Sequence, residues 1–405
     1  MIELWLGELV KAVGRLFLNP MLYWGIILLF AAGYVRFRRE RRHFGLKINP
    51  LLTETEGMGV VSLVAGLGLT AVMIGAGFVF NYETILVLNL AVILLSLSTR
   101  YTLLSAAYTA GLAFTVLYLG PKLLPEQLAA HIPATGTNFT GLAVLAGLLL
   151  VGEAMMLHRV KQDETLPELI PGKRGKWIGQ HHLKKLSIIP FFVLIPHGPL
   201  LPFADYWPYV TIGGSSFGLL LVPMVLGFDY KIRTELPMLA KQKLAGSLLL
   251  LGILVTIAAG FSLIVPVLAP VAVCLAFLGK EWIHFRHRRH EDARSPYFHE
   301  TRNGLEVLAV LPGSPADRLE IKVGEQIKKV NGRLTADADE LYEALQTNGS
   351  FCKLEIIGHD GEKRIEQTAL YNNDHHHLGL ILVGEPYRTS KQQKRKTEPH
   401  YPQAE

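Results

Sequence analysis

Long apolar runs fill the chain from Met21 to Trp282, and ordinary mixed polarity takes over from Arg286 to Glu405. A membrane-spanning helix needs about 20 predominantly apolar residues, because inside hydrocarbon a helix satisfies its own backbone. The runs predict spans at Leu22–Val35, Gly57–Phe80, Ile85–Ser98, Thr102–Gly120, Phe139–Leu157, Leu186–Phe203, Tyr209–Phe228 and Leu244–Ile264, with a further one at Val265–Leu278. Some of these are short, so about seven to nine spans are expected. Ahead of them, "MIELWLGELVKAVGRLFLNP" repeats apolar positions at helical spacing. That predicts an amphipathic helix over residues 1–20, lying on the membrane surface. Glu3, Glu8 and the lack of a small-residue cleavage site argue against a removable signal peptide.

Composition agrees with the pattern. Half of the 405 residues are hydrophobic and 18% are charged, against about 25% charged in a typical soluble domain; mean hydropathy is +0.29. The formal net charge of +6 is unevenly placed. "RFRRERRH" follows the first span, "HRVKQDETLPELIPGKRGKWIGQHHLKK" the fifth, "DYKIRTELPMLAKQK" the seventh and "KEWIHFRHRRH" the last. Lys and Arg concentrate in cytoplasmic loops, so the alternation puts the N-terminus outside and the C-terminal domain inside. Arg286, Arg288 and Arg289 beside the membrane carry the second half of that statement. These loops serve as topology determinants, and the same residues suit anionic lipid head groups. The only cysteines, Cys274 and Cys352, provide neither a disulfide framework nor metal-ligand spacing. No cofactor, metal or nucleic-acid partner is expected.

Polar residues inside spans are functional candidates by default. Here they are Glu153, His197 in "IPHGPLLPF" and the stretch "GGSSFG" from Gly213 to Gly218. Gly214–Gly218 matches G-x-S-x-G, but without the strand-to-helix elbow that exposes a hydrolase serine. An intramembrane serine protease would pair Ser216 with His197, whose neighbours Pro190, Pro196, Pro199 and Pro202 suggest a broken or re-entrant helix. Close helix packing through Gly and Ser is the plainer reading. A metalloprotease lacks its motif, since His299-Glu300 is followed by Thr301-Arg302-Asn303. A transporter would be expected to show paired intramembrane charges or matching broken helices. The spans therefore read as an anchor and assembly surface.

The soluble part divides into a strand "GLEVLAVL", a turn and short helix "PGSPADR", a strand "IKKVNG", a helix in "ADADELYEALQ", and strands "CKLEII" and "KRIEQTAL" joined by "GHDGE". This order, with "PGSPA" and "VGEQIKKVNG", resembles a bacterial PDZ domain over Gly304 to Val383. The resemblance implies peptide capture by strand addition beside a helix. The helix Asp337 to Gln346 would line the groove through Leu341 and Leu345. The carboxylate-binding loop usually precedes the first strand, yet "SPYFHETRN" ahead of Gly304 lacks it. Leu378-Gly379-Leu380 near the far end is assigned as that loop and Ile381 to Val383 as the edge strand, a further permuted arrangement. The alternative for "LGLILV" is a closing core strand. His375 to His377 read as a solvated loop, and the tail "RTSKQQKRKTEPHYPQAE" as disordered.

The predicted organisation is an N-terminal segment 1–20, an α-helical polytopic region 21–283, a basic juxtamembrane linker 284–303, an α+β PDZ-like domain 304–384 and a tail 385–405. A polytopic region with an arginine cluster after its first span, followed by one PDZ module without a protease domain, resembles the MinJ family of cell-division topology determinants. The opening "LNPMLYWG" adds to the likeness. The resemblance implies a non-enzymatic membrane scaffold at septa and poles, bridging a DivIVA-like polar marker to a MinD-like ATPase of the MinCD inhibitor, with other divisome proteins as partners. Homo-oligomerisation stays open. The competing expectation is an intramembrane serine protease gated by its PDZ domain.

Overall fold

A computed structural model describes residues 2–123, 138–173, 175–202, 216–301, 304–346, 351–370 and 378–384, with isolated positions 125, 127, 207, 208 and 386. The N-terminal helix α1 (Ile2–Leu16) is followed by α2 (Pro20–His43), α3 (Met58–Gly75), α4 (Tyr82–Ser96), α5 (Ala106–Leu123), α6 (Phe139–Arg159), α7 (Pro237–Phe261) and α8 (Leu268–Ala293). Local chemistry sets the starts. Asn19 caps α2 by accepting from Met21 N at 3.0 Å, with Pro20 at the first helical position, and Asn138 accepts from Gly141 N at 2.7 Å to open α6.

Among the described residues, α2, α3, α6, α7 and α8 are long and apolar enough to cross a membrane, while α4 is apolar but shorter. The described residues thus show five helices of spanning length, and the expected count of seven to nine helical spans is not confirmed. Two of the expected spans, Leu186–Phe203 and Tyr209–Phe228, are not helices where they are described. They contribute to a three-stranded antiparallel sheet of β1 (Leu166–Pro171), β2 (Trp177–Leu200) and β3 (Phe217–Ile232), in the order β1-β2-β3.

The physical reason is visible in the residues. Pro190 and Pro196 stand within β2 and would break hydrogen bonds in a helix interior. Leu186, Ile189, Phe191, Val193 and Leu194 on β2 are all buried. Both faces of the ribbon are covered, so the alternation that usually marks a strand is absent and the sequence reads as a continuous apolar run.

A ribbon inside an apolar bundle must also close its edges. On β2 the backbone groups turned away from β3 recur at every second residue. Leu186 N donates to Glu54 O at 3.1 Å, Phe192 N donates to Thr70 Oγ1 at 2.9 Å, and Leu194 O accepts from Phe80 N at 2.8 Å. Of the two positions between Leu186 and Phe192 in this series, Ile188 and Pro190, the second has no N–H to satisfy, and its Cα partner on β3 is Pro223. Gly66 of α3 lies against the Pro190 carbonyl, where a Cβ would come within 2.0 Å of the oxygen. On the far side, α1 closes β3: Arg15 Nη1 donates to Leu219 O at 2.7 Å and Leu219 N donates to Glu8 Oε2 at 3.5 Å. The amphipathic N-terminal segment therefore packs on the sheet through Trp5, Leu9, Ala12 and Leu16, while Leu6 and Val10 are exposed.

Charges are buried toward one end of the bundle. Arg36, within the basic run after α2's apolar stretch, bonds Glu40 at 2.6 Å and Glu54 at 2.9 Å. Lys185, fully buried, donates to Glu164 at 2.7 Å and to Thr53 O at 2.8 Å. Higher up, Lys280 of α8 donates to Glu153 of α6 and, at 3.0 Å, to Tyr230 Oη of β3, while Ser105 Oγ donates to the other Glu153 oxygen. The sequence expectation of few polar residues in the spans missed this paired charge.

The C-terminal module contains β4 (Leu305–Val310), the short α9 (Pro315–Arg318), β5 (Gln326–Val330), β6 (Arg333–Leu334), α10 (Ala338–Gln346), β7 (Phe351–Ile357), β8 (Lys363–Ala369) and β9 (Leu380–Leu382). The sheet order is β8-β7-β5-β4-β9, with β6 on β5. Asn331 and Gly332, at φ +50° and +84°, make the tight turn from β5 to β6.

Candidate peptide-binding site

β9 is an edge strand, paired antiparallel with β4 from Val310↔Leu380 to Val307↔Leu382. The turn into it carries two successive left-handed residues, Leu378 at φ +57° and Gly379 at φ +80°. Their carbonyls point into the module: Ala316 N donates to Leu378 O at 3.0 Å and Leu311 N to Gly379 O at 2.8 Å. A Cβ at position 379 would come within 2.1 Å of the Ser314 side chain, so the close approach requires glycine. Ser314 itself caps α9 by accepting from Asp317 N at 3.3 Å.

The structure brings Leu378 and Leu380 into one buried cluster with Leu341 and Leu345 of α10. Ile381 faces the other side of β9 and joins a different cluster. The apolar residues are thus core residues, with Leu378 and Leu341 both at 0% exposure. What stays available is the side of β9 away from β4, where no described strand lies. An extended peptide can add there by main-chain hydrogen bonds.

The module does not hang free of the membrane-embedded region. Phe298, Leu308, Val323 and Ile381 pack with Ile48 and with Leu169 of β1. Gly179 N on β2 donates to Phe298 O at 3.0 Å, Ile178 bridges His299, and Tyr297 N donates to Arg233 O at 2.7 Å. Residues 284–293 of the expected linker belong to α8, and Tyr297 to His299 dock on the sheet. Glu291 Oε2 accepts from Arg233 N at 2.7 Å and from Thr234 N at 3.2 Å, tying the end of α8 to the same place.

Two histidines mark this junction, with opposite environments. Burial pushes His181, whose ring is 4.9 Å from that of Phe298, down to about 3. Burial would lower His182 too, but Asp229 at 2.7 Å on Nδ1 and Glu168 at 2.7 Å on Nε2 outweigh it and hold the imidazole above its ordinary value. Burial would raise Glu168, and the bond to His182 instead takes it down to about 2.

The serine protease constellation is not assembled. Ser216 and His197 are neighbours across the far end of the hairpin, but the bond between them is backbone: His197 N donates to Ser216 O at 3.2 Å. No hydrogen bond joins their side chains among the described residues. Gly213, Gly214 and Ser215 lie outside those residues, as do His375 to His377 and the tail from 387. Among the described residues no group of three His, Cys, Asp or Glu is placed to hold a metal.

Comparison with known proteins adds several findings. The PDZ domain family matches residues 306–357, from β4 to β7. The chain is 33% identical over 387 residues to the cell division topological determinant MinJ of Bacillus subtilis (strain 168), covering 94% of this chain and 96% of that protein. It is 24% identical over 395 residues to the probable cell division topological determinant MinJ of Lacticaseibacillus paracasei, covering 93% of this chain and 99% of that one. A 55-residue likeness at 46% identity to the human serine protease HTRA3 involves 14% of this chain. No solved structure matches it.

Proposed function

The chain belongs to the MinJ family of cell division topological determinants, and from that premise we propose that it is a multi-pass membrane scaffold that places the division septum by presenting a PDZ strand edge to protein partners. The observation that carries this reading is the combination at β9: an edge strand open on one side, on a module fixed to the membrane-embedded region through Phe298 and Gly179. An incoming segment lies extended along β9, and Leu378, Leu380, Leu341 and Leu345 select its apolar side chain. All four are buried, so a large anchoring side chain enters only if α10 moves outward from β9.

In this reading the basic loops hold the module, residues 304–384, at the cytoplasmic face. Confinement to a surface raises effective concentration and lets a modest affinity suffice. The partners are a DivIVA-like polar marker and a MinD-like ATPase of the MinCD inhibitor, with the chain acting as a bridge rather than as an enzyme.

Fluorescence localisation of the tagged full chain in growing rod-shaped cells, scored with septum position after depletion, tests the proposal. Enrichment at septa and poles with misplaced septa on depletion is expected. Gly379→Val should leave the protein in the membrane and abolish partner recruitment. Uniform membrane signal with normal septa would sink the reading.

A further inference from the structure

Between α7 and α8 runs a cavity of about 720 Å³ whose lining changes character along its length. Its mouth is formed by Lys243, Arg286, Arg289, His287 and His290, with Glu235 as the lone carboxylate. Further along, the walls are Leu250, Leu254 and Trp282, with Leu250 at 60% and Trp282 at 64% exposure. This is an open apolar trough ending in a cationic mouth.

Lys243 is already paired, to Glu235 at 2.5 Å. Arg286 has no ion pair or hydrogen bond among the described residues, and the Arg289 guanidinium rests over the Phe285 ring at 5.0 Å rather than on a carboxylate. The Nε2 of His290 is buried there without a hydrogen-bond partner. The mouth therefore holds more fixed cation than its own carboxylate neutralises and a buried ring nitrogen with nothing to bond. The trough supplies helix surface, whose backbone groups are already bonded, so an extended peptide finds no main-chain partners in it.

From these features we infer that the α7–α8 groove is a binding site for one anionic glycerophospholipid. The phosphate sits among Arg286, Arg289 and His290, and an acyl chain lies along Leu250, Leu254 and Trp282. The dimensions agree. From Lys243 to Leu254 the helix rises about 16 Å, and one leaflet contributes about 15 Å of hydrocarbon. A basic pocket between helices at the membrane boundary is the arrangement that recognises anionic head groups. Nothing in this inference depends on the scaffold role, and it concerns a different face from β9.

The test is native mass spectrometry of the full chain in mild detergent, titrated with phosphatidylglycerol or with phosphatidylcholine. One retained phosphatidylglycerol per chain is expected, at least tenfold favoured over phosphatidylcholine. Arg286→Gln with Arg289→Gln should cut that retention at least tenfold, whereas Arg41→Gln with Arg42→Gln, at an exposed basic stretch elsewhere, should leave it unchanged. Leu250→Trp, which fills the trough but keeps the mouth, should reduce retention of the lipid as well. Thermal unfolding of each variant establishes that it is folded. Equal retention of the two lipids, or retention unaffected by the Arg286 and Arg289 changes, overturns the inference. Displacement by inorganic phosphate at matching concentration overturns it in favour of a phosphate site without an acyl requirement. A dimer that forms through this face and excludes phosphatidylglycerol overturns it in favour of a second copy as occupant.

Discussion

Two antiparallel sheets in this chain treat their edges in opposite ways. The β2–β3 ribbon lies among apolar helices, and outward groups of Leu186, Phe192, Leu194 and Leu219 are taken up by Glu54, Thr70 and Phe80 on one side and by Glu8 and Arg15 on the other, with Pro190 and Pro223 removing donors altogether. The PDZ sheet leaves β9 without a strand on its outer side. Water satisfies an open edge at little cost, whereas hydrocarbon does not. An available edge is therefore a functional option only in the soluble module, and that is where partner recognition by strand addition can reside.

The largest effect is expected where the ribbon loses its buried polar partner. Lys280→Met leaves Glu153 uncompensated and should cost about 3–5 kcal/mol, whereas pairing it with Glu153→Leu should recover most of that loss. Thermal unfolding of the two variants in detergent checks this; equal destabilisation would mean that packing, not charge, fixes β3. Next in size is Gly66→Val, which drives a side chain into the Pro190 carbonyl. It should destabilise by about 1–3 kcal/mol and expose the ribbon to proteolysis while the PDZ module stays resistant.

A smaller effect is expected in the water-facing sheet. Ser314→Ala removes the α9 cap for about 1 kcal/mol, and hydrogen exchange should quicken around β9 alone. The smallest effect is on pH dependence. His182 is held above its ordinary 6.5, so its contribution is complete below that value and is lost as pH rises through its folded-state value. Glu168, lowered from 4.5 to about 2, works oppositely: its contribution is present above 4.5 and fades as pH falls toward 2. Unfolding temperature should therefore decline on both sides, and His182→Gln should flatten the alkaline limb.

The PDZ module was legible because its elements are short and punctuated: "PGSPA" and "VNG" fix turns in a way that tertiary context does not override. The helices α3, α6 and α7 were equally plain from apolar length. The ribbon was not, because burial on both faces erases the two-residue period, and an apolar run of that kind fits strand or helix alike. Its signal was present in Pro190, Pro196 and Pro199, read as a broken helix rather than as strand positions whose N–H is dispensable. Lys280 was hidden for another reason. It adjoins the basic run after Leu278, while its partner Glu153 is far away in sequence, so the lysine looked like part of a topology signal. Arg36 was disguised in the same way inside "RFRRERRH".

The continuity of β2 has an evolutionary consequence. A single strand of 24 residues, Trp177 to Leu200, runs past the PDZ contact at Gly179 to the opposite end of the bundle. Helices and loops tolerate insertions by bulging or lengthening, but one residue added to a strand inverts the facing of every side chain beyond it. Descendants of this gene can drift in composition along β2, yet their lengths between Gly179 and Pro196 are expected to remain locked. Insertions and deletions should instead accumulate in the connections around it, which makes indel placement across relatives a fossil record of the ribbon.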